Sequence, residues 1–445
     1  MISQPEVLQP NRGAFADLRR GLTIADLKTN VVNQTVELPI RNGVTKADGQ
    51  TYSEPDDVPE LQTVLLLYQP KTRYALTPKH PVPELRHNDE VLIKIEYIGL
   101  NPIDWKAPDL GWGIPKLPYI SGRDFLGTIV RSSSPSRPVG AQVLAISTDY
   151  RDERKSAFQH YAVSATHTIC PLPSRPGSVS SAPDPSHASL GVAFTAAALA
   201  LGVCLGIDFS PATSGASSGG FDFLHLLRSR TSPAAIPHDV RAECLDGIHE
   251  LERARPGDWV AIWGGGSTTA LMLTQLAKAA GLRVALVGDA KKHGGRVVQR
   301  GLAAPDVMVD CWDEDRAVDV LRGVAGGRLR YAVDAVGKET AGKLAKALAD
   351  GGGGGQDERV HLVGLSGAPK NVRDGIVLHT VPIKVFHEVR EVGLRTMEWL
   401  ARLLSDGRLV TPDVEVVEGG LRSVNGALDR MRKKEVSGKR LVVRV

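Results

Sequence analysis

The residues with the most specific chemical pattern form a glycine-rich turn between an apolar strand and a helix. The stretch WVAIW at 259–263 leads into Gly264, Gly265 and Gly266, and the helical pattern that follows ends near Gly281. Glycines at such a turn let backbone amides approach a diphosphate, and the helix N-terminus favours its negative charge. Hydroxyl donors follow the glycines: Ser267, Thr268 and Thr269. The pattern predicts a dinucleotide-binding turn. A P-loop nucleotidase is disfavoured, because the sequence contains no G-x-x-x-x-G-K-[ST] motif.

The residues after the next predicted strand should decide which dinucleotide binds. An acidic side chain there would bind the ribose 2′-hydroxyl of NAD, whereas a small residue with nearby cations suits the 2′-phosphate of NADP. Gly288 occupies that position, Asp289 follows it, and Lys291 and Lys292 come shortly afterwards. The pattern is mixed. We predict NADP(H), because the two lysines supply positive charge and Gly288 leaves room.

Metal-ligating side chains show no comparable pattern. The cysteines are far apart and no C-x-x-C occurs: Cys170, Cys204, Cys244 and Cys311. Common cysteine-rich zinc sites and a disulfide framework are therefore excluded, and a reducing compartment fits best. Three histidines occur singly, which indicates structural or surface roles: His160, His361 and His387. We predict no metal site.

Two kinds of strand pattern must position the predicted site. From residue 61 on, short β-branched runs separated by Pro, Gly and Asn predict a compact β-rich domain over 61–192. In one of these runs Val91, Ile93 and Ile95 recur at every second position, which predicts a strand that is buried on one face.

From Gly257 on, short apolar strands alternate with helical stretches. This alternation predicts a parallel, doubly wound sheet over 193–380. We place a low-complexity insertion at about 208–240 within it, because Ser, Pro and Gly are frequent there.

Three other segments carry weaker patterns. Residues 1–60 read as a loosely ordered N-terminal extension. The G-x-S-x-G sequence at 215–219 lacks the preceding strand that a serine nucleophile elbow requires, so we interpret it as a chance match in a loop. The glycine run 351–355 is predicted to connect a helix to a strand.

The composition excludes several classes of protein. The 445 residues are 42% hydrophobic and 23% charged, and 54 basic against 50 acidic residues leave a net charge of +4. Collagen-like, disordered and disulfide-stapled chains are excluded, and the charge is too small to indicate nucleic-acid binding. The uncharged run Leu190–Ile207 is rich in Ala and Gly, so we predict a buried helix rather than a membrane span. The chain is expected to be cytoplasmic, with no membrane partner.

The chain resembles the medium-chain dehydrogenase/reductase superfamily, within it the zinc-free quinone oxidoreductase and fungal trans-acting enoyl reductase branch. The resemblance runs from about residue 63 to 445 and rests on motifs that occur in the family order: NPIDWK at 101–106, GRDFLGTIV at 122–130, VGAQV at 139–143, AFQHYAV at 157–163, the glycine turn, DAVG at 334–337 and VSGKRLVV at 436–443. It implies an α/β fold with a GroES-like β-rich substrate domain and a Rossmann domain. Residues 381–445 are expected to return to the GroES-like domain.

The same resemblance implies chemistry without catalytic zinc. Asn101 stands where zinc-dependent relatives carry a cysteine ligand, and Arg123 and Asp124 stand at their His-Glu pair. Arginine does not ligate zinc. The implied reaction is therefore hydride transfer from NADPH to an activated C=C bond, in an enoyl or enone substrate, or to a quinone.

Individual site residues are implied by the resemblance as well. Lys106 matches a lysine near the nicotinamide pocket, and it would stabilise negative charge on the substrate carbonyl. Thr195 matches a threonine of the substrate cleft. The remaining residues are expected to hold the loop or approach the cofactor: Asn101, Asp104, Gly364, Leu365 and Ser437. The α-carbon proton is expected from water, since no dedicated acid stands out.

Several alternatives stay open at this point. A tyrosine that packs on the adenosine phosphate in relatives is replaced by Cys311, with Trp312 beside it, which weakens the NADP assignment. The acceptor is not decided, and neither is a monomer against a homodimer. A polyketide synthase or another biosynthetic enzyme is a candidate partner besides the small-molecule substrate. The rival reading is a non-catalytic NADPH-binding structural or RNA-binding protein, although the basic stretch 430–434 lacks the interleaved aromatics of an RNA site.

Overall fold

The computed structural model describes residues 58–111, 113–173, 183–210, 219–349 and 359–445. The chain divides into two units, and the first, Met1–Ser53, lies outside these residues, so everything below concerns the second. Nearly all of the predicted N-terminal extension, most of the G-x-S-x-G sequence and the glycine run 351–355 also lie outside them.

The N-terminal half of the described chain consists mainly of antiparallel strands. They are β1 (Leu61–Leu67), β2 (Ala75–Pro81), β3 (Glu90–Gly99), β4 (Tyr119–Ile120), β5 (Asp124–Ser132), β6 (Gln142–Ile146), β7 (Tyr161–Ala165) and β8 (Ile169–Pro171). Strands β2, β1 and β4 form a small sheet, while β3, β5, β6 and β8 are neighbours in a larger one, with β7 paired to β3. This is the predicted GroES-like β-rich part.

The other half of the described chain contains a six-stranded parallel sheet. Its strands are β9 (Trp259–Trp263), β10 (Arg283–Gly288), β11 (Val307–Asp310), β12 (Tyr331–Asp334), β13 (Val360–Gly364) and β14 (Ile376–His379). Their order is β11-β10-β9-β12-β13-β14, and every neighbouring pair is parallel. This is the order of a Rossmann sheet, so the predicted fold class is confirmed.

The C-terminal strands are β15 (Val414–Val417) and β16 (Arg440–Arg444). Strand β16 pairs antiparallel with β3, and β15 pairs parallel with β16. The end of the chain therefore completes the sheet that begins about 350 residues earlier.

Eleven α-helical segments connect these strands in the described residues. They are α1 (Pro102–Leu110), α2 (Gly191–Leu199), α3 (Phe223–His225), α4 (His238–Asp246), α5 (Thr268–Ala279), α6 (Ala290–Val298), α7 (Glu314–Val324), α8 (Lys338–Ala349), α9 (Val385–Glu388), α10 (Arg390–Ser405) and α11 (Val424–Arg432). Helix α5 and helices α7 and α8 cover opposite faces of the parallel sheet. Val260 and Ile262 of β9 join one hydrophobic cluster with α5, whereas Ala261 and Trp263 join another with α7 and α8.

The uncharged run Leu190–Ile207 lies inside the protein. It forms α2 and a π-helical turn, Ala200–Cys204, whose residues are fully buried. None of the described helices has both the length and the hydropathy that a membrane span requires. The predicted buried helix is thus the observed structure.

Two local expectations were wrong. Strand β3 is buried on both faces, because Leu92 packs with Val82, Val130 and Val163 while its neighbours face the main core. The predicted low-complexity insertion at about 208–240 is too long. From Phe221 on, its apolar side chains are buried in the core, and short helices follow.

Candidate active site

The glycine turn (Gly264, Gly265 and Gly266) is packed against the end of β10. The amides of Gly264 and Gly265 donate to the carbonyl of Val287 at 3.0 and 2.9 Å, and Gly264 has φ +116°. A Cβ on Gly265 would lie 3.1 Å from Cγ of Leu286. Backbone rather than side chains therefore forms the surface of the turn, which is the property that lets a diphosphate approach.

Helix α5 begins directly after this turn. Ser267 is its N-cap, and the Ser267 hydroxyl accepts a hydrogen bond from the amide of Ala270 at 3.1 Å. Thr268 is buried and Thr269 is half-buried. The helix is twelve residues long and has partial positive charge at its N-terminus. Because it begins directly after the turn, this end adjoins the groove beside the turn.

Helix α6 closes the other side of this groove. His293 is buried, and a Cβ on Gly266 would lie 3.0 Å from its Nε2. The same nitrogen lies 3.0 Å from the hydroxyl of Ser437, and the Arg296 guanidinium donates to the carbonyl of Gly438 at 2.7 Å. The C-terminal loop is thus tied to α6 across the glycine turn, and Ser437 lies in this contact.

The residues predicted to select the dinucleotide lie at the start of α6. Asp289 is its N-cap and accepts from the amide of Lys292 at 2.9 Å. That hydrogen bond, together with one from Trp312, lowers the pKa of the Asp289 carboxyl. Lys291 and Lys292 are exposed. A Cβ on Gly288 would lie 3.1 Å from Cα of Gly265, so Gly288 is needed for packing of the turn itself.

Gly364 and Leu365 lie at the carboxyl end of β13, two strands away from β9 in the same parallel sheet. Gly364 ends β13 beside Asp334, the last residue of β12, and Leu365 donates its amide to the carbonyl of Asp334 at 2.9 Å. The Asp334 carboxylate accepts from the amides of Val336 and Gly337 at 2.9 and 2.7 Å. These carboxyl ends of parallel strands are where ligands bind in such sheets.

A second polar site lies in the β-rich part, and we name it the Asn101 cluster (Asn101, Asp104, Asp124 and Arg440). The amide of Asn101 donates to Asp104 at 2.7 Å, and its side chain donates to Asp124 at 3.0 Å. The Arg440 guanidinium donates to the side-chain oxygen of Asn101 at 2.7 Å. The N-terminal and C-terminal parts of the chain thus meet at one asparagine.

The cluster also links the two helices that carry the predicted catalytic residues. Asn101 is the N-cap of α1, which contains Lys106. Asp124 accepts from the amide of Val192 at 2.9 Å, in the first turn of α2, which contains Thr195. One buried carboxylate–amide pair therefore sets the position of both helices.

Burial determines the charge state of this cluster. Burial raises the pKa of the Asp104 carboxyl to about 7 and that of Asp124 to about 6. The pKa of Arg440 is lowered, because the effect of burial is larger than the opposing effect of the neighbouring carboxylates. Asp104 and Asp124 also lie close enough to repel each other when both are ionised.

The side chains of the two predicted catalytic residues differ in environment. Lys106 is half-buried, and its Nζ lies 5.9 Å from the ring centroid of Trp105. Thr195 is fully buried, and its hydroxyl has no hydrogen-bond partner among the described residues. A buried hydroxyl without a partner is costly, so its presence requires an explanation.

Arg123, which the resemblance aligns with a zinc-ligating histidine, is held between two tyrosines. Its guanidinium lies 3.7 Å from the ring centroid of Tyr150 and donates to the hydroxyl of Tyr119 at 3.2 Å. The side chain is almost completely buried. The donor set around Asn101 is therefore one of carboxylates and guanidiniums, which does not match a zinc site of cysteine and histidine.

Sequence reasoning found some of these residues and missed others. Asn101 and Asp104 were predicted to hold their loop. The roles of Asp124 and Arg440 in the same cluster were not anticipated, and neither was the contact of His293 with Ser437. Charged residues inside otherwise apolar strands were the available signal, since burial of a charge requires a partner.

The fold joins a GroES-like β-rich part to a Rossmann sheet, and comparison with known proteins finds the same combination. Residues 87–174 match the alcohol dehydrogenase GroES-like domain. The chain is 27% identical over 364 residues to the trans-enoyl reductase himH of Aspergillus japonicus, covering 80% of this chain and 90% of that protein. It is 26% identical over 416 residues to the trans-enoyl reductase thnE of Trichoderma harzianum, covering 87% and 97%.

Solved structures share the fold at lower identity. The Escherichia coli quinone oxidoreductase in complex with NADPH superposes with a TM-score of 0.58 at 15% identity, covering 86% of this chain and 100% of that chain. The quinone oxidoreductase of Pseudomonas syringae pv. tomato superposes with a TM-score of 0.60 at 14% identity, covering 86% and 100%. The chain therefore shares the two-domain fold of the quinone oxidoreductases and is similar in sequence to trans-enoyl reductases.

Proposed function

We propose that this oxidoreductase uses NADPH to reduce an activated C=C bond of an enoyl or enone substrate, or a quinone, without catalytic zinc. The observation that carries the proposal is the Asn101 cluster, because it links the helix of Lys106 to the helix of Thr195. The names of the trans-enoyl reductase relatives support reduction of an enoyl group, and the quinone oxidoreductase structures support the second acceptor.

A nicotinamide dinucleotide fits the residues around the glycine turn. The three glycines present only backbone to a ligand, and a Cβ on Gly265 or Gly266 would press against Leu286 or His293. Ser267, Thr268, Thr269 and Ser437 supply hydroxyls around a diphosphate, while Lys291 and Lys292 supply charge for a 2′-phosphate. Gly364 and Leu365 would lie beside the nicotinamide ring. When bound, NADPH supplies the hydride.

The chain's own residues would stabilise the charge that develops on the acceptor. As hydride reaches the β-carbon, negative charge collects on the carbonyl oxygen, and the Lys106 ammonium group would stabilise it there. The Thr195 hydroxyl, which has no partner among the described residues, would gain one by donating to the substrate. Asn101 and Asp104 would hold α1 in place, and water would protonate the α-carbon.

No step of this reaction needs a metal at Asn101. Arg123 and Arg440 already place two buried guanidinium groups near Asp104 and Asp124, so the Asn101 cluster holds positive charge of its own. These groups lower the pKa values of the two carboxyls, against the larger effect of burial.

The test is the consumption of NADPH and of NADH with a panel of quinones, enals and enoyl thioesters. We expect turnover with NADPH and at least one member of the panel. Lys106→Ala should lower kcat by about 10²–10³-fold, as removal of one donor to a developing oxyanion does. Lys116→Ala, at a surface ion pair with Glu153, is the matched control and should retain activity.

Two outcomes would contradict the proposal. Tight NADPH binding without turnover on any acceptor would favour the alternative, a non-catalytic NADPH-binding structural or RNA-binding protein. Unchanged turnover of Lys106→Ala would remove the role of that lysine. Replacing Lys291 and Lys292 by alanine should raise the KM for NADPH and leave the KM for NADH unchanged, and equal effects on both would show that these lysines do not recognise the 2′-phosphate.

The substrate is proposed to arrive on a polyketide synthase or another biosynthetic enzyme, as expected for a trans-acting enoyl reductase. If so, an enoyl group on its carrier should be reduced with a lower KM than the same acyl group as a small thioester. Equal KM values would favour a free small-molecule substrate.

A further inference from the structure

A buried group of potential metal ligands lies in the half that contains the parallel sheet, at residues outside the glycine turn and the Asn101 cluster. Sγ of Cys204, a carboxylate oxygen of Glu243 and a ring nitrogen of His379 lie within 4.8 Å of one another. Cys204 and His379 are buried, and the Glu243 side chain is 17% exposed. Each residue comes from a different element: the π-helical turn 200–204, helix α4 and the last position of strand β14.

We propose that Cys204, Glu243 and His379 bind a structural Zn²⁺ ion. Thiolate, imidazole and carboxylate are ligands that Zn²⁺ accepts together, and donor atoms at these separations can converge on one tetrahedral ion. Either a water molecule or the second carboxylate oxygen of Glu243 can fill the fourth position. This proposal replaces our prediction of no metal site. It does not depend on the proposed catalytic function.

The protons of two histidines supply a second, independent argument. Nδ1 of His379 lies 2.7 Å from Oε1 of Glu243, and its Nε2 lies 2.9 Å from Nδ1 of His361. In the metal-free site a doubly protonated His379 would donate to both Glu243 and His361, whereas a neutral His379 that donates to Glu243 accepts a proton from Nδ1 of His361. Nε2 of His361 is then a bare lone pair. It is buried, has no hydrogen-bond partner among the described residues and lies 3.9 Å from the carboxylate of Glu252.

A metal gives every nitrogen of a neutral histidine pair a partner. If Zn²⁺ replaces the proton on Nδ1 of His379, Nε2 of that ring donates to His361, and Nε2 of His361 carries a proton that faces Glu252. Glu252 stays ionised because Arg359 donates to both of its oxygens at 2.7 Å. A metal-bound histidine whose other nitrogen donates through a chain to a carboxylate is a common arrangement around zinc.

The charges and protons balance in this site. The two histidines keep the same number of protons and only shift them along the chain of hydrogen bonds. The Cys204 thiol releases its proton to solvent when it becomes a ligand, as metal binding to cysteine requires. Thiolate and carboxylate then neutralise the two charges of the ion, so the buried site carries no net charge. The ion would join α4 and the π-helical turn to the edge strand of the parallel sheet.

The experiment uses the full chain, stripped with a chelator and then reloaded with Zn²⁺ or Co²⁺. The wild type should bind about one Zn²⁺ per chain, and the Co²⁺ form should show a thiolate-to-cobalt charge-transfer band. Cys204→Ser should lose the band and bind Zn²⁺ at least about tenfold more weakly. Cys170→Ser removes an equally buried cysteine in β8 and should behave as the wild type.

Glu243→Gln keeps the proposal testable if Cys204→Ser does not fold. The amide can still hydrogen-bond His379, so the protein should fold while Zn²⁺ affinity and the rise of Tm on adding Zn²⁺ both fall. The proposal is overturned if the reloaded wild type binds no Zn²⁺, or if its Co²⁺ form lacks the thiolate band. Equal Zn²⁺ affinity in Cys204→Ser and Cys170→Ser would overturn it as well.

Discussion

The glycine turn and the Asn101 cluster belong to different sheets of the described chain, and they are built in opposite ways. Three successive glycines leave only backbone for a ligand to contact. Neighbouring atoms already occupy the space into which a Cβ would project. The cluster consists of charged and polar side chains that satisfy one another inside the β-rich part. Adding atoms should therefore break the first site, and removing atoms should break the second.

The largest expected effect is the loss of a carboxylate from the Asn101 cluster. Asp124→Ala leaves the side chain of Asn101 and the amide of Val192 without their acceptor, and it removes a counter-charge of the buried Arg440. Breaking a buried charge network in this way costs about 3–5 kcal/mol of unfolding free energy. Urea unfolding of the purified variant measures it.

The matched control is a carboxylate in an exposed ion pair. Glu391 accepts from Arg395 at 2.6 Å on the surface of α10, with both side chains nearly half exposed. Glu391→Ala should cost less than about 1 kcal/mol, as exposed pairs do. If Asp124→Ala costs no more than this control, the cluster does not stabilise the protein in the way described.

The second expected effect is a dependence of stability on pH. It comes from a titratable side chain of the Asn101 cluster, and the three glycines of the turn have none. In an unfolded chain Asp104 has a pKa of about 3.9, whereas burial raises it to about 7 in the folded protein. Between these values the folded state holds more protons, so this carboxyl lowers the stability as pH rises. Asp104→Asn removes the effect and keeps an acceptor for the amide of Asn101.

Unfolding free energies of wild type and Asp104→Asn across this pH window measure the effect. The difference should shift in favour of Asp104→Asn as pH rises from about 4 to about 7. Asp124, with a folded pKa of about 6, acts in the same direction in both proteins and so largely cancels from the difference. Parallel curves would show that Asp104 is ionised in the folded protein throughout.

The contrast between the sites also explains how much could be predicted. The turn, its strand and its helix lie within residues 259–281, so the order of residue types along the chain was sufficient. Asn101 meets Asp124 and Arg440, which lie 23 and 339 residues away. Such partners depend on sheet pairing, here of β16 with β3, and residue spacing carries no information about it.

The same limit applies to burial and to the histidines. The period of Val91, Ile93 and Ile95 revealed one buried face of β3, but the cover over Leu92 comes from other strands. His361 and His379 lie 18 residues apart, and parallel pairing of β13 with β14 brings their rings together. Contacts between distant segments were invisible, whereas local turn and helix patterns were readable.

A smaller loss of stability, with a larger loss of binding, is expected from a methyl group in the turn. Gly264→Ala places a Cβ 3.1 Å from Val336 at a φ of +116°. Such strain costs about 1–3 kcal/mol, and the altered turn should weaken NADPH binding by at least about tenfold, equivalent to about 1.4 kcal/mol. Fluorescence titration with NADPH and urea unfolding measure the two effects.

Gly295→Ala is the control for this substitution. Gly295 lies within α6, and no atom lies within 4 Å of the Cβ that it would gain. Alanine in a helix interior should raise stability by about 0.5–1 kcal/mol and leave NADPH binding unchanged. Wild-type affinity in Gly264→Ala would contradict the assignment of the turn as the cofactor site.

The smallest effect tests whether the hydroxyl that caps α5 also contributes to binding. Ser267→Ala removes the acceptor of the Ala270 amide and should cost about 1 kcal/mol, the usual value of an N-cap. Asp313→Ala removes an equivalent cap, that of the Arg316 amide in α7, and should cost about the same. Only Ser267→Ala should also weaken NADPH binding, because its helix N-terminus adjoins the glycine turn. Equal affinities in the two variants would mean that the turn binds through its backbone alone, which would make its contrast with the Asn101 cluster complete.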